Sequence, residues 1–156
     1  MNKKFIYFFL LSLFPLIFCG CGNKELEEYK TDMDTFYSDI SEYDNIINSI
    51  DAGSEDSVSE LLSALDNVGE RFAWMASLSV PDEFASIEPL SAEASEYMAN
   101  AVSLYHQAFE SEPFDIAAAE TAKEYYDYAN QRALYILSIL RGNVPGSEDL
   151  PPAENP

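Results

Sequence analysis

Past residue 21 this chain has no cysteine. Beyond that point a disulfide framework, a cysteine metal site and a cysteine nucleophile are all excluded. Histidine occurs only at His106, and glycine only singly, at positions 20, 22, 53, 69, 142 and 146. No glycine loop can cradle a phosphate, and no Gly-x-Ser-x-Gly presents a nucleophile. Positive charge is equally scarce. All 28 acidic residues lie after position 21 but only six of the eight basic ones do, leaving a net charge of −22 on that part of the chain. Such a surface repels nucleic acid and anionic headgroups. It suits a solvated exterior or a cationic partner: a basic peptide, a basic protein, or loosely held Ca²⁺ or Mg²⁺.

The start of the chain carries an address. Lys3 and Lys4 precede a predominantly apolar run from Phe5 to Phe18, then Cys19-Gly20-Cys21. This is the layout of a secretory signal peptide, too short for a good membrane span. Gly20-Cys21 resembles the end of a bacterial lipobox, in which a small residue precedes the cysteine that receives a diacylglyceryl group. Residues 1–20 are therefore expected to be removed and Cys21 to carry lipid.

Four later segments repeat apolar residues at alternating spacings of three and four, the stripe of a bundle helix. The first, from about Glu25 to Asp51, carries Leu26, Tyr29, Met33, Phe36, Ile40, Tyr43, Ile47 and Ile50. Gly53 follows where a left-handed C′ residue belongs. The second, from about Ser57 to Leu78, carries Val58, Leu61, Leu65, Val68, Phe72 and Met75, and Ser57-x-x-Glu60 fits a capping box. In the third, up to Glu110, Ile87, Leu90, Ala94, Tyr97, Ala101, Leu104 and Ala108 repeat the pattern. Pro89 predicts a short turn over 82–88 and a main helix starting near it. The fourth, from about Phe114 to Arg141, carries Ile116, Ala119, Ala122, Tyr126, Ala129, Ala133, Ile136 and Leu140, with Gly142 and Pro145 as its stop.

Short connections force antiparallel neighbours. The expected fold is all-α, an up-down-up-down antiparallel four-helix bundle over residues 25–142. Residues 21–24 form the lipidated cysteine and a short tether. Residues 143–156, rich in proline and acid, are expected to be a disordered tail. Large residues dominate the first two stripes and alanines the last two, which predicts closer approach of the third and fourth helices.

A bundle raises the question of a di-iron carboxylate site, which needs Glu-x-x-His on two helices. His106 has Ser103 at i−3, so the motif is absent. His106 and Glu110 stand one turn apart, but two ligands rarely hold a catalytic ion. Acid pairs such as Glu55-Asp56, Asp82-Glu83 and Glu93 with Glu96 read as solvated helix faces, and Asp51, Glu55 and Asp56 lack EF-hand spacing. No catalytic residue, metal or cofactor is expected. Trp74 falls off the core stripe, one residue before Met75. It is a possible partner contact, or else it folds over the helix end beneath the loop to Pro81.

Gly20-Cys21, the Val80-Pro81-Asp82-Glu83-Phe84 turn, the Tyr105-His106-Gln107-Ala108-Phe109 stretch and the helix end from Ile136 to Gly142 together resemble small acidic lipoproteins of Gram-positive, Firmicute-type bacteria. The resemblance implies a lipid anchor at Cys21 and a place on the extracytoplasmic face of the cell membrane. It implies no activity. The expected function is a non-catalytic binding or structural module of the cell envelope, partnered by the membrane through Cys21 and by an unknown protein or cationic partner. The alternative is a small-ligand sensor or carrier with a pocket inside the bundle.

Overall fold

The computed structural model describes residues 22–143. The expected signal peptide, Cys21 and the tail from residue 144 onward lie outside them. The described residues form four α-helices and no strand: α1 Gly22–Ser49, α2 Ser57–Ser77, α3 Ile87–Glu110 and α4 Ile116–Leu140. The chain runs up and down through one bundle, each helix packing against the next in sequence. The α1–α2 and α3–α4 connections share one end, here the loop end. The start of α1, the α2–α3 connection and the exit of α4 share the other.

The stripes meet in one core. Tyr29, Met33 and Phe36 of α1 pack with Val68, Phe72 and Met75 of α2, and with Ile87, Ala94 and Met98 of α3 and Ala129, Ala133 and Ile136 of α4. At its centre the Phe36 and Phe72 rings meet edge to face, centroids 5.1 Å apart, the orientation that ring quadrupoles favour. As the alanines predict, α3 and α4 make the most extensive contact of any helix pair. Ala94, Ala101 and Ala108 face Ala118, Ala122, Ala129 and Ala133, all buried. α1 reaches α4 differently, through long side chains. The Tyr37 hydroxyl donates to the carbonyl oxygen of Ala133 at 2.6 Å, and that of Tyr126 to Asp44 Oδ1 at 3.0 Å.

The helix ends depart from the sequence reading in instructive ways. Residues 22–24, expected as a short tether, are helical and belong to α1. The capping box at Ser57 does not form. Asp56 already has helical dihedrals (φ −91°, ψ −2°) and occupies the N-cap without a side-chain bond, so Ser57 lies inside the helix where its hydroxyl cannot cap. Gly53 is not left-handed, since Gly142 alone among the described residues has positive φ. Instead the Gly53 amide donates to Asp51 Oδ1 at 3.0 Å, an Asx turn that closes the connection before a C′ glycine is needed.

α3 starts two residues before Pro89, which therefore sits in the first turn, where its missing N–H costs nothing. The expected prelude is a one-turn 3₁₀ helix at Asp82–Phe84. α4 starts at Ile116 and not Phe114, because Asp115 is the N-cap and accepts from the Ala118 amide. Its stop is as expected. Gly142 takes φ +77°, its amide donates to the Ile139 carbonyl, and that of Asn143 donates to Ser138. These two bonds make a Schellman motif.

The stripe residues away from mid-bundle, such as Ile40, Ile47, Leu61 and Leu140, are half-buried, and two are exposed. Val58 is 40% exposed and Ile116 64%. Each stands in the first turn of its helix at the loop end, beyond the span its neighbours cover.

Candidate functional site

The lipidation candidate, Cys21, lies outside the described residues, and Gly22, its neighbour in sequence, is already helical. No helix among the described residues is long and apolar enough to cross a membrane.

Trp74 is not a free aromatic on the surface. It is partly buried against the margin of the core, and the Arg71 guanidinium carbon lies 5.4 Å from its ring centroid. Arg71 Nη1 in turn reaches Asp39 Oδ2 on α1 at 3.3 Å. A cation held over an indole face satisfies both groups, and the chain Trp74–Arg71–Asp39 links α2 to α1. The sequence reading missed this because Arg71 belongs to no apolar stripe, and its alignment with Asp39 depends on the relative register of two helices.

His106 bridges two carboxylates. Its Nε2 lies 2.9 Å from Asp66 Oδ1 on α2, and its Nδ1 lies 3.2 Å from Glu110 Oε1 one turn along α3. A neutral imidazole can donate from one nitrogen only, so this clasp favours the doubly protonated ring. The hydrogen bond to Asp66, then that to Glu110, raises the histidine pKa above its ordinary value of 6.5. Both nitrogens are committed to carboxylates, which leaves neither aimed at a shared ion. Among the described residues no group of three or more His, Cys, Asp or Glu side chains is arranged to hold a metal.

The α3–α4 seam contains a charge that the apolar pattern did not announce. Arg132 is buried, its Nε donating to Glu93 Oε2 at 2.8 Å, and its guanidinium lies 5.8 Å from the Tyr97 ring centroid. Tyr125 and Tyr128 of α4 bracket the same ring at 6.0 and 5.7 Å. The signal was present in the spacing: Ala129, Arg132 and Ile136 follow one another at three and four residues, so Arg132 lies on a core row. Glu93, read as half of a solvated acid pair, is its partner.

Open grooves flank α1. Near the start of the helix a cleft of about 300 Å³ is lined by Glu25, Glu28, Tyr29 and Asp32 against Leu78–Pro81. At the loop end a groove of about 360 Å³ is lined by Ile47, Ile50, Ala52, Ser57, Val58, Leu61 and Phe109. A second groove there, of about 420 Å³, runs along Tyr43, Ile46, Ile50 and Ala64. The first is acidic and the Phe109 groove largely apolar, while the Tyr43 groove mixes its apolar residues with Ser49, Ser59, Glu60, Ser63 and Asn67.

Comparison with protein-family models, with curated proteins and with solved structures finds no match. The functional reading therefore rests on sequence and geometry.

Proposed function

We propose that the chain is a lipid-anchored protein of the extracytoplasmic face of the cell membrane, serving as a non-catalytic binding or structural module of the envelope. The observation that carries this reading is the junction at residue 21. A lipobox-like Gly20-Cys21 follows a signal-peptide layout, and the next residue, Gly22, is already helical. Lipid on Cys21 would hold the start of α1 at the bilayer and leave the loop end facing outward. One acyl chain gives marginal attachment and two give stable attachment, so a diacylglyceryl group suffices. The non-catalytic part is supported by the chemistry on the bundle: the histidine is clasped by two carboxylates, and the buried arginine bonds Glu93 across the α3–α4 seam. The carrier alternative draws no such support, since Met33, Phe36, Phe72, Met75 and Met98 fill the middle of the bundle.

The test is metabolic labelling with a lipid precursor. Wild-type chain is expected to take up label, and Cys21→Ala to lose it and remain unprocessed at this site. Label that persists in Cys21→Ala refutes the anchor.

A further inference from the structure

The large apolar residues left exposed are not spread evenly. Ile46, Val58, Phe114 and Ile116, at 41%, 40%, 46% and 64% exposure, gather at the loop end. They are joined by partly covered neighbours. Phe109 lines the same groove as Ile47, Ile50, Val58 and Leu61, and its ring lies 5.1 Å from that of Phe114. A continuous apolar surface thus runs from the α1–α2 connection to the α3–α4 connection, where monomeric proteins rarely leave such area bare.

Its rim has one sign of charge. Asp51, Glu55, Asp56, Glu60 and Glu112 are exposed around it. No lysine or arginine occurs between Lys30 and Arg71, or between Arg71 and Lys123, so every residue of both connections lies in a stretch without a fixed positive charge. An apolar groove edged by carboxylates, with no lysine or arginine in either connection, matches an apolar helix face flanked by lysine or arginine. The same charge repels the other occupants. A second copy would bring two acidic rims together, and an anionic bilayer would meet a like-charged surface.

We infer that the loop end is a docking site for a cationic amphipathic segment of a partner protein, seated by its apolar face on Val58, Phe109 and Phe114 and held by the acidic rim. The inference rests on the binding-module reading above and names its site and partner class. In the membrane-anchored orientation this end is the one presented away from the bilayer.

The test uses the full chain in zwitterionic bilayer discs and a fluorescent helical peptide of about 18 residues, with leucine on one face and lysine on the other. Empty discs supply the background. The chain is expected to bind this peptide, and to bind a scrambled peptide of the same composition about tenfold more weakly or worse, because apolar anchors at an interface centre carry most of the affinity. A glutamate version is expected not to bind. Ile46→Ser/Val58→Ser and, separately, Phe114→Ser/Ile116→Ser are expected to weaken binding about tenfold. Leu134→Ser, which changes an equally exposed leucine in the last third of α4, is expected to leave it unchanged.

Equal binding of the scrambled peptide overturns the apolar seat. An equal loss in Leu134→Ser overturns its location. A doubling of mass without peptide, abolished by the loop-end substitutions, assigns the surface to a second copy instead. Failure of the peptide on a chain that carries lipid label refutes the docking site and leaves the anchor standing. Binding by a chain that takes no label does the reverse.

Discussion

Asp66 on α2 and His106 on α3 stand 2.9 Å apart, oxygen to Nε2, forty positions distant in sequence. The bond joins two helices near the loop end, and it strengthens when the imidazole is charged. The folded protein therefore holds the His106 proton more tightly than the unfolded chain, in which the pKa is near 6.5. The clasp contributes its full stabilisation below that value, and the contribution is lost as pH rises through the raised folded pKa. Melting temperature followed across this window is expected to fall more steeply for wild type than for His106→Gln or Asp66→Asn. The comparison with these variants matters because the acidic surface adds a slope of the same sign. Parallel curves would show that the clasp does not form.

Tyr37 is the second bridge between helices. Its hydroxyl sits in the gap between α1 and α4, and burial pushes its pKa well above the ordinary tyrosine range. Tyr37→Phe removes one intramolecular hydrogen bond and little else, so it should cost about 0.5–1.5 kcal/mol in urea unfolding. Burial likewise raises Tyr29 and Tyr126 to about 12. A spectroscopic alkaline titration should accordingly leave these three tyrosines protonated at a pH where exposed ones have ionised. Stability should fall as pH climbs from the ordinary tyrosine value of 10 towards 12.

Glu93 and Arg132 are unequal members of their pair, with side chains 42% and 4% exposed. Glu93→Ala leaves the guanidinium buried without that carboxylate, and should cost about 1–3 kcal/mol, less than for a fully enclosed pair. Arg132→Met removes the buried charge and lets Glu93 turn to water, so it should be much milder. A denaturation series that reversed this order would show that the arginine contributes chiefly by packing.

The stripe of α2 provides a control along a single helix. Leu65 and Phe72 are buried at mid-bundle and Val58 is not. Either Leu65→Ala or Phe72→Ala should cost about 2–5 kcal/mol by lost transfer energy and cavity formation. Val58→Ala should cost under about 0.5 kcal/mol, the range of an ordinary surface change. Equal losses at Val58 and Leu65 would mean that the groove is closed in solution.

Net charge sets the response to salt. Carboxylates crowded on a small bundle repel one another, and ions screen that repulsion over about 10 Å at 0.1 M. Stability should rise with ionic strength from low values. Calorimetry with Ca²⁺ should give weak heats that do not saturate, and a stoichiometric micromolar site would refute a purely diffuse ion atmosphere.

The contrast between Leu65 and Val58 also marks how far the sequence could be read. Periodicity reports which residues share a helix face, so the four helices and their mid-bundle core were legible. It does not report where a neighbouring helix stops, and for that reason Val58 and Ile116 looked like core. End chemistry was readable when one residue decided it, as at Gly142, and misleading at Ser57, where the preceding turn was already helical. The Asp66–His106 and Glu93–Arg132 contacts depend on the axial register between helices, which no single stripe encodes. Arg132 alone left a trace, through its spacing from Ala129 and Ile136.

The unequal seams have a mechanical consequence. α3 and α4 adhere through alanines that bring two backbones together, whereas α1 holds α4 at arm's length by tyrosine hydroxyls. A force entering at the start of α1 would load the more loosely seated helix first and could peel it away while the α3–α4 hairpin stayed whole. A chain tugged from its first helix thus has a built-in order of yielding, with α1 as the part that gives and the alanine seam as the part that lasts.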